Sequence, residues 1–157
     1  MKIRLFLLAV FIVFLLQVTI LDSFKLFSIK PDFLLVMIII ASLFSRWKQV
    51  IFFAVVAGSL KDIFSINTFG LNIFLFALWS YLVTKLSRKI SLENNMLRGA
   101  IVFVVIISNA VLIYSLTLFL GNSGISAGVF LRVMLLEAIY AALISPLVFI
   151  ALKPIIS

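Results

Sequence analysis

The sequence contains no cysteine and no histidine. Without cysteine the chain has no disulfide, no thiol nucleophile and no thiolate ligand for a metal. Without histidine it lacks the usual general base near neutral pH and the commonest metal ligand. Charged residues are also scarce, at 11% of the chain, and only 5 of the 157 residues are acidic. We therefore expect a non-enzymatic protein with no catalytic residue, no cofactor and no metal site.

Apolar residues make up 66% of the chain, against roughly 45–50% in soluble domains. So few charges cannot cover the surface of a water-soluble globule. The apolar residues fall into runs that predict six transmembrane helices, at residues 5–21, 32–45, 49–64, 70–84, 99–120 and 128–152. These features predict an all-α integral membrane protein that forms a single domain over residues 1–157.

The basic residues give the expected orientation of these helices. They number 13 and stand mostly at the ends of apolar runs, as membrane topology requires, so we expect no nucleic-acid partner. With the N-terminus in the cytoplasm, nine of them lie in the inside segments, three in the outside segments, and Arg132 lies within the last helix. The positive-inside rule then predicts that both termini are cytoplasmic. The net charge of +8 also favours contact with anionic membrane lipids.

Polar residues at the end of the third predicted helix need an explanation. Gly58 and Asp62 are four residues apart and share one helix face, where a glycine lets another backbone approach closely. Counted from Lys48 at about 1.5 Å per residue, Asp62 lies roughly 21 Å along the helix, short of a full crossing of about 30 Å. Two interpretations stay open. Either Lys61 and Asp62 neutralise each other, with Gly70 serving as a turn, or this region contacts a partner or ligand.

Pro31 and Asp32 stand where the second predicted helix begins. Proline suits the first turn because its missing N–H is not needed there, and a carboxylate there complements the helix dipole. Asp32 and Asp62 are both predicted near the outer face, so a pair of catalytic carboxylates is conceivable. Neither, however, lies in a recognisable motif of an intramembrane enzyme.

Glu137 is an ionisable residue inside the last predicted helix. The fifth and sixth helices are expected to be antiparallel, and counting along them places Glu137 level with Tyr114, and Tyr140 level with Asn109 near the midplane. We therefore expect a polar contact between Glu137 and Tyr114 or Asn109. Ionisable groups inside a membrane usually face a partner within the bundle.

The chain resembles the rod shape-determining protein MreD family. The resemblance is carried by Ile29-Lys30-Pro31-Asp32-Phe33 and by Gly58-x-x-x-Asp62-x-Phe64 running into Phe69-Gly70-Leu71-Asn72, in a short six-helix chain. It implies a scaffold of the bacterial elongation complex in the cytoplasmic membrane. The implied partners are the single-span protein MreC and, through it, MreB, RodA and a class B penicillin-binding transpeptidase. The residues implied for partner contacts, or for the fold they depend on, are Pro31, Asp32, Gly58, Asp62, Gly70 and Asn72.

A second function stays open at this stage. The fold of the MreD family is similar to that of the substrate-capture subunits of energy-coupling-factor transporters, which bind vitamins. In that interpretation Asp62, Asn67, Asn72 and Glu137 would line a pocket open to the outside. The short outer loops, poor in aromatic and polar groups, argue against it.

Overall fold

The structure is a computed structural model that describes residues 2–19, 32–64, 70–90, 94–121 and 126–156. Six α-helices make up nearly all of these residues. The helices are α1 (Ile3–Thr19), α2 (Phe33–Phe44), α3 (Trp47–Ile63), α4 (Leu71–Ser87), α5 (Asn95–Phe119) and α6 (Ala127–Ile156). Each corresponds to one predicted apolar run, and every end agrees within four residues. By length and composition, α5 and α6 are long and apolar enough to cross a membrane. Six membrane crossings remain a prediction.

The shortest helix, α2, is at the centre of the bundle. Every residue from Leu34 to Leu43 is buried, and α2 contacts all five of the other helices. A helix that is apolar on all sides is stable only when neighbours surround it. The most extensive helix–helix contacts join α3 to α4 and α5 to α6, as expected for neighbours joined by short connections.

The start of α2 is capped by two side chains. Asp32 occupies the N-cap position, and its carboxylate accepts a hydrogen bond of 3.2 Å from the backbone N–H of Leu35. The amide oxygen of Gln17, from α1, accepts one of 3.4 Å from the N–H of Leu34. These donors belong to the first turn, where the helix provides no acceptor of its own. Pro31 lies outside the described residues.

The two ends of the described chain meet at one end of the bundle. The backbone N–H of Lys2 donates a 2.9 Å hydrogen bond to the carbonyl of Ile155, near the end of α6. This contact brings the start of α1 beside the end of α6. An even number of crossings would place the two ends on the same side in this way.

Polar side chains inside the bundle are used to join helices. Trp79 of α4 donates its indole N–H to the side-chain oxygen of Asn109 in α5, at 3.1 Å. The hydroxyl of Thr84 in α4 lies 3.2 Å from the carbonyl oxygen of Ser42 in α2. Among the described residues, every buried side-chain nitrogen and oxygen has a hydrogen-bond partner. Such satisfaction is required where no water is available.

Candidate functional site

Asp62 lies near the end of α3 but caps the start of α4. Its side chain is buried, with the residue only 1% exposed. One carboxylate oxygen accepts from the backbone N–H groups of Gly70 (3.0 Å) and Ile73 (3.1 Å). The other accepts from the backbone N–H (3.3 Å) and side-chain amide (2.7 Å) of Asn72. The residue at the N-cap position of α4, Gly70, has no side chain to supply this acceptor.

This arrangement explains how a carboxylate can be buried here. A buried charge is tolerated when it is hydrogen-bonded on all sides, and four donors surround Asp62. Three of them are backbone N–H groups at a helix N-terminus, where the helix dipole also favours negative charge. Both oxygens of Asp62 are therefore engaged in holding α3 and α4 together.

Gly58 allows the two helix backbones to touch one turn before Asp62. A Cβ atom placed on Gly58 would lie 2.6 Å from the Cα of Ile73 and 2.9 Å from the carbonyl oxygen of Asn72. No side chain fits in that space without moving backbone. Gly58 therefore leaves room for the backbone of Asn72 and Ile73, and Asp62 accepts hydrogen bonds from the same two residues. We call Gly58, Asp62, Gly70, Asn72 and Ile73 the α3–α4 joint.

Gly70 serves a conformational purpose in this joint. Its φ angle is +86°, a region that residues with a Cβ rarely adopt. No neighbouring atom lies within 4 Å of where its Cβ would be. Glycine is therefore required here by the backbone conformation and not by steric crowding. The prediction that Gly70 forms a turn is confirmed.

The first of the two open interpretations, in which Lys61 and Asp62 neutralise each other, is wrong. Lys61 pairs instead with Asp32, the N-cap of α2, and its ammonium lies 5.3 Å from the centre of the Phe76 ring. The reason is helix geometry, since adjacent residues project about 100° apart. Asp62 therefore faces α4 while Lys61 faces α2. The two aspartates have separate partners, which gives no support to a shared catalytic pair.

The predicted contact of Glu137 with α5 is also not made. Within the part of the chain that the structure describes, no hydrogen bond joins Glu137 to Tyr114 or Asn109. Asn109 accepts from Trp79, and the ring of Tyr114 stacks on Phe130 at 4.0 Å. Tyr114 is therefore level with Phe130 and not with Glu137, so counting residues misjudged how α6 is aligned along α5.

Glu137 turns instead toward the start of α2. Asp32 and Lys61 are the charged residues that contribute to its electrostatic environment. We call Asp32, Lys61 and Glu137 the ionic cluster, in which the ion pair of Lys61 with Asp32 joins α3 to the start of α2. Because Lys61 and Asp62 are neighbours in sequence, the ionic cluster and the α3–α4 joint meet at the end of α3.

Sequence reasoning missed two of these polar contacts. Gln17 was visible as a polar interruption in the first apolar run, and that is the signal from which its capping of α2 could have been inferred. Trp79 had no such signal, because its indole N–H is hidden within a residue counted as apolar. Among the described residues, no group of three or more His, Cys, Asp or Glu could hold a metal ion.

The α3–α4 joint also bears on the vitamin-binding interpretation. That interpretation required Asp62 and Asn72 to line a pocket open to the outside. The two side chains are hydrogen-bonded to each other, and the residues are only 1% and 4% exposed. Both carboxylate oxygens of Asp62 are already occupied by N–H donors of Gly70, Asn72 and Ile73. Asn67 lies outside the described residues.

These observations define a class of protein: an apolar helical bundle in which several buried polar side chains join one helix to another. The family model for the rod shape-determining protein MreD matches residues 1–155, and the chain belongs to that family. It is thus a membrane protein with a role in rod shape determination, in a family of structural proteins rather than known enzymes. No curated protein and no solved structure matches the chain.

Proposed function

We propose that this protein is a non-enzymatic scaffold of the bacterial rod complex, with six spanning helices in the cytoplasmic membrane and both termini in the cytoplasm. It binds MreC and, through MreC, supports the action of MreB, RodA and a class B penicillin-binding transpeptidase on peptidoglycan. Family membership supports the role in cell shape. The meeting of Lys2 with Ile155 supports an even number of crossings.

The observation that carries the scaffold proposal is an apolar groove of about 460 Å³ formed by α1, α2 and α6. Its ten lining residues are all apolar: Ala9, Ile12, Val13, Leu16, Phe33, Met37, Val148, Ala151, Leu152 and Ile155. Spacings of three and four residues recur among the lining residues of α1 and among those of α6, so on each helix they form a straight stripe along one face. The groove is therefore shaped to run beside a helix.

Small residues make the groove suitable for a single spanning helix. Ala9 on α1 and Ala151 on α6 have short side chains and so leave space in the groove. Small residues let membrane helices approach closely. The outward side of α1 is also apolar, with Leu8 58% and Phe11 52% exposed. We infer that the spanning segment of MreC lies in this groove, against α1 and α6.

Cysteine cross-linking tests this assignment in a chain that has no cysteine of its own. Ile12→Cys and Leu16→Cys place single thiols in the groove, and Val104→Cys and Leu147→Cys place them at exposed apolar positions outside it. Each variant is co-expressed with MreC that carries single cysteines along its spanning segment. We expect cross-links from the groove positions with a spacing of three to four residues along MreC.

The control positions decide the result. Cross-links of equal yield from Val104→Cys or Leu147→Cys would mean that MreC has no fixed site on this protein. Cross-links from those positions alone would move the site to another face. Failure to recover MreC with any variant or with the unmodified protein from membranes solubilised in mild detergent would overturn the partner proposal itself.

A further inference from the structure

A cavity of about 350 Å³ opens at the end of the α3–α4 pair opposite to Asp62. It is lined by Trp47, Tyr81, Thr84, Lys85 and Arg88. Trp47 is the first residue of α3, and the other four lie in the last turns of α4 or just after it. The cavity thus combines two aromatic rings and two cations at the ends of two packed helices. We call it the basic cavity.

The positive charge of the basic cavity is not neutralised by the described protein. The ammonium of Lys85 lies 6.0 Å from the centre of the Tyr81 ring. Lys85 and Arg88 form no ion pair with any carboxylate of the described chain, whose one salt bridge is Lys61 with Asp32. The carboxylates that the structure describes belong to the ionic cluster and the α3–α4 joint, at the opposite end of α3. Lys48, whose ammonium lies 5.5 Å from the centre of the Trp47 ring, adds further positive charge nearby.

We propose that the basic cavity binds the phosphate headgroup of an anionic phospholipid in the cytoplasmic leaflet. Arginine can hold two phosphate oxygens at once, and lysine adds a second charge. Basic pockets between membrane helices on the cytoplasmic side are suited to acidic headgroups. The volume is that of a small-molecule site, large enough for a phosphoglycerol group.

The surroundings of the cavity favour a lipid over free phosphate. Tryptophan and tyrosine are the residues that occupy the membrane–water interface, and both face this cavity. On the same helix, Leu82 and Leu86 are 42% and 43% exposed, which gives acyl chains an apolar surface beside the headgroup. The inference rests on the proposed topology, which places this end of the bundle in the cytoplasmic leaflet.

The experiment is a titration of the purified full-length protein in detergent, followed by native mass spectrometry. The probes are phosphatidylglycerol, phosphatidylcholine and glycerol 3-phosphate. We expect phosphatidylglycerol to bind in preference to the zwitterionic lipid. For Lys85→Gln/Arg88→Gln we expect about a tenfold or greater loss of affinity for phosphatidylglycerol. Lys2→Gln/Arg4→Gln removes the same net charge from the same end of the bundle and should bind nearly as well as the unmodified protein.

Other outcomes would overturn the proposal. Equal losses in the two double variants would show a general attraction to acidic lipid without a site. Saturable binding of glycerol 3-phosphate that displaces the lipid would make free phosphate the ligand. Should the double variant fail to fold, Arg88→Lys keeps the charge but loses the two-pronged contact, and unchanged binding by this variant would contradict the proposed geometry.

This test is independent of the scaffold proposal. The titration contains neither MreC nor any synthase, so a failure to find MreC leaves its result unaffected. Conversely, loss of the lipid site would leave the cross-links from the groove unchanged, because the basic cavity and the groove share no lining residue.

Discussion

The side-chain amide of Asn72 donates a 2.7 Å hydrogen bond to the carboxylate of Asp62, ten residues earlier in the chain and on another helix. The same carboxylate accepts the free backbone N–H groups at the start of α4. Asp62 of α3 thus provides the acceptor for the start of α4 that an N-cap side chain usually provides. The Gly58-x-x-x-Asp62 spacing therefore joins α3 to α4, and substitutions of either residue act first on this joint.

Asp62→Ala should lower the stability of the protein rather than only its partner binding. The change removes four hydrogen bonds and leaves the first turn of α4 without acceptors, so we expect a loss of about 2–4 kcal/mol. Thermal unfolding of the purified protein in detergent, followed by circular dichroism, measures it. Ser59→Ala is the control, because the Ser59 hydroxyl bonds only within its own helix. An unchanged melting temperature for Asp62→Ala would show that the joint is not needed for stability.

The same substitution has an expected effect in cells. If the α3–α4 joint shapes the surface that partners contact, Asp62→Ala should make rod-shaped cells round. Microscopy of cells in which this variant is the sole copy gives the shape, and immunoblotting of membranes gives the amount of protein. Rods of normal shape at normal protein levels would contradict a role for Asp62.

Gly58→Ala should separate α3 from α4. The added methyl group would lie 2.6 Å from the Cα of Ile73, a distance that forces the backbones apart at a cost of about 1–3 kcal/mol. Gly128→Ala is the matched control, since a Cβ there has no neighbour within 4 Å and alanine favours helix. Unfolding in detergent should show a loss for the first variant and no loss for the second. Equal behaviour of the two glycine variants would refute the close approach.

Lys61→Met should be more damaging than the double variant Lys61→Met/Asp32→Asn. The single change leaves the buried Asp32 carboxylate without its partner, and an unpaired buried charge costs about 3–5 kcal/mol. Neutralising both residues removes that penalty. A double-mutant cycle on the free energy of unfolding measures the coupling, and additive effects would show that Lys61 and Asp32 do not stabilise each other.

Thiol labelling in the cysteine-free chain should give the topology. Ser126→Cys, before α6, is expected to react with a membrane-impermeant maleimide in intact spheroplasts. Ser87→Cys, at the end of α4, is expected to react only after permeabilisation. Labelling of both residues, or of Ser87→Cys alone, in intact spheroplasts would contradict six crossings with cytoplasmic termini.

Much of the helix arrangement could be read along the chain. Hydropathy is a one-dimensional property, so the apolar runs predicted six helices whose ends the structure places within a few residues. The glycine at position 58 predicted a close approach of another backbone, and Gly70 predicted a turn, because each of these depends on local geometry. The polar residues of the α3–α4 joint were also recognised as unusual for an apolar helix.

The partners of those polar residues were decided by the tertiary structure. Lys61 and Asp62 are adjacent in sequence, yet one pairs with α2 and the other caps α4, because the rotation of α3 sends them to different neighbours. Glu137 was predicted level with Tyr114, but Tyr114 stacks on Phe130, because both the offset and the rotation of α6 against α5 follow from packing and not from counting residues. The sequence therefore determined which residues form helices and which of them need a polar partner. Only the packing of the helices around the buried α2 decided which partner each polar group has.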